Sequence, residues 1–491
     1  MNGEPHIGFA MEAVEADAIA RYQRLLGKET FFLTGTDEHG SKLAETAKEQ
    51  GLKPQELCDQ NSAKFKELTQ ILNLSNDDFI RTSDQKRHWP AVQKLWQKLV
   101  EKGDIYKGEY EGLYCVGCES FITEKELVDG KCPHHDKEPE KVSEENYFFK
   151  LSKYSKQVAD LIRSKKLNIV PDFRANEILY LCDQGLKDVS FSRPREVLNW
   201  GVPVPDDDSQ VMYVWCDALT NYISAIGYAE ETEQFKKLWP CDCHVIGKDI
   251  LRFHAAIWIG MLISAGIELP KSELVHGWIH TKGERMSKSK GNVISPFDLV
   301  DEYGVDAVRY YLLSEIPMGK DGDFTYARFE EKYVADLANS LGNLVNRVIV
   351  MTQKYFDSVV PEAKISPEIK KIQDEALKKY HQEMEGYMLH KGAGKAFSLV
   401  HFANKYIDEK APWTLAKEGK DEELKSVLFN LLQLVSQVAV LLIPFIPQSI
   451  EKIFQQLDLP VPPTFADFKL VPPGHKLGSA EPIFPRLEKK E

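Results

Sequence analysis

At 491 residues the chain is long enough for two to four structural units, since single cores rarely grow beyond ~250–300 residues. Hydrophobic residues make up 43% and charged residues 28%, with no low-complexity tract or short repeat, which excludes a disordered or solenoid protein. A net charge of −13 argues against a nucleic-acid partner held by bulk electrostatics and leaves only a local basic face for that duty.

The opening, MNGEPHIGFAMEAVEADAIARYQ, places Gly3, Pro5, His6 and Gly8 just ahead of a helix. Val14, Ala18, Tyr22 and Leu25 recur there near helical spacing and Gly27 supplies a stop. Such a loop ordinarily follows a strand, and none precedes it. TFFLTGTDEHG reads as a buried strand ending in a polar loop, and DDFIRTSD and GDIYKGEYEGLYC as further strand or turn material, an α/β rhythm. From about Glu109 to Asp208 the aromatic run Tyr147, Phe148, Phe149, the helical YSKQVADLIRS and the turn-rich RPREVLNWGVPVPDDD mark an insertion. VMYVWCDAL then resumes the buried-strand style, CHVIGKDI is a strand entering a loop and RFHAAIWIGMLISAG a helix. From about Phe329 nearly everything is helical until LPVPPTFADFKLVPPG. VLFNLLQLVSQVAVLLIPFIP is the most apolar stretch, but Asn430, Gln433 and Gln437 share one face and Pro444 and Pro447 end it, so a buried core helix is predicted and not a membrane span. The N-terminus lacks the features of a signal peptide, and eight unevenly scattered cysteines point to a reducing cytoplasm.

Three motifs carry chemistry. In CVGCESFITEKELVDGKCPHH, Cys115, Cys118, Cys132 and either His134 or His135 have the spacing of a closed tetrahedral zinc site. His135 is preferred because it repeats the spacing of the first elbow. Four protein ligands would leave no position for substrate, so the metal is expected to be structural. CDCH at Cys241–His244 reads as packing. RMSKSKGN sets Arg285, Lys288 and Lys290 around Ser287 and Ser289, with Gly291 and Asn292 making the turn, a loop suited to nucleotide phosphates. The opening loop adds a helix N-terminus and His6, both favourable to an anion.

HIGF and RMSKS together resemble the HIGH and KMSKS signatures of class I aminoacyl-tRNA synthetases. FLTGTDEHG, the single knuckle, YVWCDALTNY, HVIGKDILRFH, RMSKSKGNV and APW, in that order from Asn2 to about Gln448, are similar to the methionyl-tRNA synthetase family. The resemblance implies a split class I Rossmann-type catalytic domain with a zinc-containing connective insert, followed by an all-α anticodon-binding bundle. The expected division is 1–108 and 209–284 for the catalytic halves, 109–208 for the insert, 285–328 for the KMSKS loop and stem-contact region, and 329–491 for the bundle. It also implies ATP-dependent activation of L-methionine to methionyl-adenylate and transfer to tRNA(Met). His6 and Lys288 would be catalytic, and Gly8, Arg285, Met286, Ser287 and Ser289 would help hold Mg-ATP. Asp37 would hold the substrate ammonium, and Trp215, Ala218, Tyr222, Ile250 and His254 would surround the thioether, although spacing alone reads Trp215 and Tyr222 as core aromatics. Asn343, Arg347 and Trp413 match the family's anticodon readers. A monomer is expected.

Two departures from the family stand out. Phe9 replaces the second signature histidine, so one polar contact to ATP is absent or supplied from elsewhere. The family also has a strand and short loop just before Asn2. Lack of that strand would leave two neighbours with unpaired edges and severely impair methionine activation. The rival expectations are a truncated paralogue that binds tRNA without activating methionine, and another class I synthetase, against which the single knuckle and YVWCDAL argue.

Overall fold

The computed structural model describes residues 3–117, 120–122, 124–133, 137–286 and 291–487. The chain divides into two compact units, one of Met1–Pro5, Phe31–Thr69 and Asn76–His276, the other of His6–Thr30, Gln70–Ser75 and Gly277–Glu491.

In the first unit the strands Leu33–Thr36 and Asp78–Arg81 run parallel, Leu33 opposite Asp78 and Thr36 opposite Arg81. They approach closely because Gly35 has no side chain: a Cβ there would fall 2.1 Å from the Ile80 carbonyl oxygen. A second parallel ladder sets Ser272–His276 between His244–Gly247 and Asn168–Val170. Its central strand is buried at every residue, as a strand covered on both faces must be. Among the described residues no ladder joins the two sheets, so Leu33–Thr36 and His244–Gly247 each pair on one side only.

The insertion is antiparallel. Ile105–Cys115 pairs with Glu140–Phe149 over its length and is flanked by Ser120–Ile122 and Val189–Ser190, while Asp207–Met212 lies between Ser192–Pro194 and Pro203–Val204. The helix Trp89–Glu101 turns Ala91, Val92, Leu95, Trp96 and Leu99 inward, and these join Phe149, Phe191, Tyr213 and Trp258 in the unit's main core. One expectation fails here. In VMYVWCDAL the strand stops at Met212, Tyr213 is an extended cap and Val214–Ala218 is helical. A short, continuously apolar run carries no period that separates a buried strand from a buried helix, and here the helix won.

The second unit begins with the helix Ile7–Leu25, closed as predicted by Gly27 at φ +76°. A small sheet sets Ile279–Thr281 between Glu284–Arg285 and Gly322–Phe324. The remainder is helical, principally Asn343–Phe356, Pro367–Glu385, Leu389–Lys410, Asp421–Leu442 and Pro447–Leu457. Asp421–Leu442 is long and apolar enough to cross a membrane by composition, yet it is buried continuously from Val427 to Leu442. Its polar stripe is satisfied inside the bundle. Asn430 accepts the Ser366 amide at 2.9 Å, Gln433 both donates to and accepts from the Val471 backbone at 2.9 Å, and Gln437 donates to the Gln373 carbonyl at 3.2 Å. The buried-helix expectation therefore holds.

Candidate active site and anticodon-binding face

The expected methionine-binding residues all fall in the first unit. Asp37 lies just past Leu33–Thr36 and is exposed, whereas its neighbours Glu38 and His39 are buried. Trp215 and Ala218 lie on Val214–Ala218, Tyr222 on Asn221–Ser224 and Ile250 at the end of the short 3₁₀ turn Lys248–Ile250. His254 belongs to the π-helical turn Phe253–Trp258, a widening often found where a helix serves a site. Trp215 stacks on Phe253 with ring centroids 4.0 Å apart and planes within 8°. The buried His254 lies 3.1 Å by Nδ1 from the Ile250 carbonyl, so Nδ1 donates there and Nε2 is left as the acceptor for the Tyr222 hydroxyl at 2.7 Å. Tyr222 rests in turn on His244, ring centroids 4.1 Å apart, and His244 pairs with the buried Glu273 at 3.1 Å. Burial pulls the His244 imidazolium down, but Cys241 and the Glu273 carboxylate outweigh it and push the ring up to about 10.

The described residues expected to bind ATP, His6, Gly8, Arg285 and Met286, fall in the second unit. His6 caps the helix Ile7–Leu25, its Nδ1 accepting the Gly8 amide at 3.0 Å. A Cβ at Gly8 would lie 2.8 Å from His6 Cε1, so glycine is what lets the ring fold over the helix start. Phe9 is exposed and packs on His6 with centroids 4.4 Å apart, taking an aromatic contact where the family signature has a polar one. Arg285 lies over the Trp278 ring at 4.3 Å and its carbonyl accepts from Asn292 at 3.2 Å, while Gly291 turns at φ +65°. Met286 is half-buried. Ser287, Lys288, Ser289 and Lys290 lie outside the described residues.

Of the knuckle, Cys115 and Cys132 are both buried in one small cluster with Ile122, against Leu113 and Leu127, whereas Cys118, His134 and His135 lie outside the described residues. In the helical part Asn343 is exposed, and one turn on Arg347 lies over the Trp413 ring at 5.6 Å while donating to Asp408 at 2.9 Å. Trp413 is 45% exposed at the start of Pro412–Lys417. Three residues scattered through seventy positions of sequence thus share one face. Sequence reading passed over three buried polar residues in the same unit as the expected methionine-binding residues, His39, His88 and Asp217; the available signal was an aspartate inside the apolar VMYVWCDAL.

Parallel strands in two ladders and a histidine-capped helix start, with RMSKSKGN far along the sequence, are the combination expected of a class I tRNA synthetase. The family model described as tRNA synthetases class I (M) matches residues 1–141 and 134–349, and that of the anticodon binding domain of methionyl tRNA ligase matches residues 361–491. The methionine–tRNA ligase of Thermotoga maritima is 43% identical over 100% of this chain and 79% of its own length, and that of Brucella suis 43% identical over 99% and 96%. The solved structure of Mycobacterium tuberculosis methionyl-tRNA synthetase in complex with methionyl-adenylate superposes with a TM-score of 0.95 at 38% identity, covering 99% of this chain and 97% of that one. The free form of that enzyme gives 0.88 at 35% identity, covering 99% and 96%. The chain belongs to the methionyl-tRNA synthetase family and is a methionine–tRNA ligase.

Proposed function

We propose that Asp37 binds the ammonium of methionine and that Trp215, Ala218, Tyr222, Ile250 and His254 enclose its side chain. The observation that carries this reading is the convergence in one unit of the Trp215–Phe253 stack and the Ile250–His254–Tyr222 hydrogen-bond chain, since a polarizable thioether favours aromatic edges. ATP is held by His6, Gly8 and Arg285–Ser289. With Nδ1 accepting the Gly8 amide, the neutral His6 ring keeps its proton on Nε2, the atom that would donate to a phosphate oxygen. Methionine's carboxylate is already ionised, so no general base is needed. A carboxylate oxygen bonds to the α-phosphorus as the bond to pyrophosphate breaks, and Lys288, helped by Lys290 and Arg285, offsets the charge that develops. Mg²⁺ accompanying ATP supplies further charge neutralisation.

Cys115, Cys118, Cys132 and His135 would hold one structural zinc. Two soft donors, Cys115 at the end of a strand and Cys132 seventeen residues on, buried in one cluster with few apolar partners, fit that group, and its chemistry is to fix the knuckle. Asn343, Arg347 and Trp413 read the anticodon, a reading supported by their shared face. The division at 108, 208, 284 and 328, a monomeric state and a cytoplasmic location complete the proposal; cysteine usage and the core position of Asp421–Leu442 support the location.

Methionine-dependent ATP–pyrophosphate exchange tests the assignment. Lys288→Ala should lower kcat about 10²–10³-fold, the cost typical of losing one transition-state donor, with methionine KM changed little. Equal loss in kcat and in methionine affinity would contradict the role.

A further inference from the structure

Asp217 is fully buried on Val214–Ala218, between Trp215 and Ala218. One carboxylate oxygen, Oδ2, is hydrogen-bonded to His39 Nδ1, and the other, Oδ1, to His88 Nε2 at 2.7 Å; His88 Nδ1 reaches Ser224 Oγ at 2.8 Å. His39 stands two residues after Asp37 on the loop leaving Leu33–Thr36. Glu38 is buried in the same loop. Its carboxylate accepts from Arg81 Nε at 2.8 Å, Arg81 Nη2 at 2.9 Å, Thr36 Oγ1 at 2.6 Å and Ser83 Oγ, and its carbonyl accepts from Trp200 Nε1 at 2.7 Å. Drawing Glu38 and His39 inward leaves Asp37 as the carboxylate this loop presents outward.

Buried charge of this kind adds little to stability that apolar packing could not supply, but a carboxylate whose two oxygens are each held by a different histidine has little freedom of orientation. Burial pulls the His39 pKa down, but Asp217 first, then Asp37 and Glu38, outweigh it and raise it above its ordinary range. We propose that Asp217, held between His39 and His88, is a positioning residue for methionine. It ties the loop that presents Asp37 to the helix that carries Trp215 and Ala218, so that the ammonium and thioether ends of the substrate are gripped at one fixed spacing. The proposal rests on the assignment of Asp37 and Trp215 given above. Misplacement of either end by an ångström is enough to lose productive binding.

Asp217→Asn, His39→Asn, His39→Leu, Asp37→Asn and the Asp37→Asn/Asp217→Asn double variant of the full chain decide it, with methionine KM, ATP KM and thermal unfolding as readouts. Asp217→Asn should raise methionine KM about tenfold or more while ATP KM stays within about twofold and unfolding remains cooperative. His39→Asn, whose amide occupies the place of Nδ1, should recover most of the affinity, and His39→Leu should not. Because Asp217 acts through the Asp37 loop, the double variant should be no worse than Asp37→Asn alone. An unchanged methionine KM in Asp217→Asn, a parallel rise in ATP KM, or multiplying effects in the double variant would overturn the proposal and leave the Asp37 assignment standing. An unchanged methionine KM in Asp37→Asn would remove that assignment and this proposal with it. Should Asp217→Asn fail to fold, the two His39 variants still discriminate: equal methionine KM values for both refute the positioning role.

Discussion

Arg309 Nη2 lies 2.6 Å from Asp17 Oδ2, with both side chains fully buried in the second unit. The guanidinium also donates to the carbonyls of Leu72 at 3.0 Å, Pro444 at 2.9 Å and Phe445 at 3.1 Å. Asp17 in turn accepts from Arg21 at 2.7 Å and from the Ser75 amide and hydroxyl at 2.6 and 2.7 Å. One ion pair therefore fastens the histidine-capped helix Ile7–Leu25 to the segment Gln70–Ser75 and to the turn ahead of Pro447–Leu457.

Removing one partner of this pair leaves the other charged and buried. Asp17→Ala is expected to cost about 3–5 kcal/mol and Arg309→Ala a similar amount, whereas an apolar replacement of both should recover part of the loss. Denaturant midpoints of the single and double variants measure this. Burial alone would raise the Asp17 pKa, but Arg309, Arg21 and Ser75 outweigh it and hold the carboxyl below its ordinary range. A depressed pKa contributes stability that is present above the unfolded value near ~3.9 and lost as pH falls through the folded one. The variants should therefore converge with the parent in strong acid and separate from it near neutrality.

His244 offers the opposite sign. Its folded pKa of about 10 lies above the ordinary value of 6.5, raised by Cys241 first and Glu273 second, so their contribution is fully present below ~6.5 and is lost as pH rises through about 10. Glu273→Gln should lower the urea midpoint at pH 6.5 and flatten its fall between pH 7 and 10. Parallel profiles for the variant and the parent would show that the pair carries no such charge.

The Tyr222 hydroxyl is the donor that satisfies His254 Nε2. Tyr222→Phe keeps the ring that rests on His244 but strands a buried acceptor, a cost of about 1–2 kcal/mol or roughly 5–30-fold. That loss should appear in methionine KM, with ATP KM unchanged. His254→Gln, which retains a polar terminus, should be milder than His254→Leu.

Much of this arrangement is legible in the sequence because it is local. The capped helix, the loop after Leu33–Thr36, the cysteine spacing and the polar stripe Asn430, Gln433, Gln437 each declare themselves within a few residues. The helix at Val214–Ala218 was hidden because a buried run has no period, and the Asp217 network was hidden because its partners are far away, His39 by 178 residues and His88 by 129. No spacing rule reaches across such distances. The same holds for Arg309, whose partner Asp17 lies 292 residues earlier.

Trp413 and Arg347 supply the last test. Trp413 is nearly half exposed beside a guanidinium that is itself anchored by Asp408, and Pro412 and the left-handed Ala411 fix the turn on which the indole stands. An exposed, rigidly mounted indole can stack on an unpaired base at about 1–3 kcal/mol, which corresponds to roughly 5–150-fold. Trp413→Ala should raise the KM for tRNA by that factor in the aminoacylation reaction and leave methionine-dependent ATP–pyrophosphate exchange, which needs no tRNA, unchanged. Trp413→Phe should keep most of the stacking. Asp408→Asn, which loosens Arg347 without touching the indole, should have a smaller effect of the same kind. If Trp413→Ala instead lowers exchange and tRNA affinity together, the indole supports the fold of the helical part and does not read the anticodon.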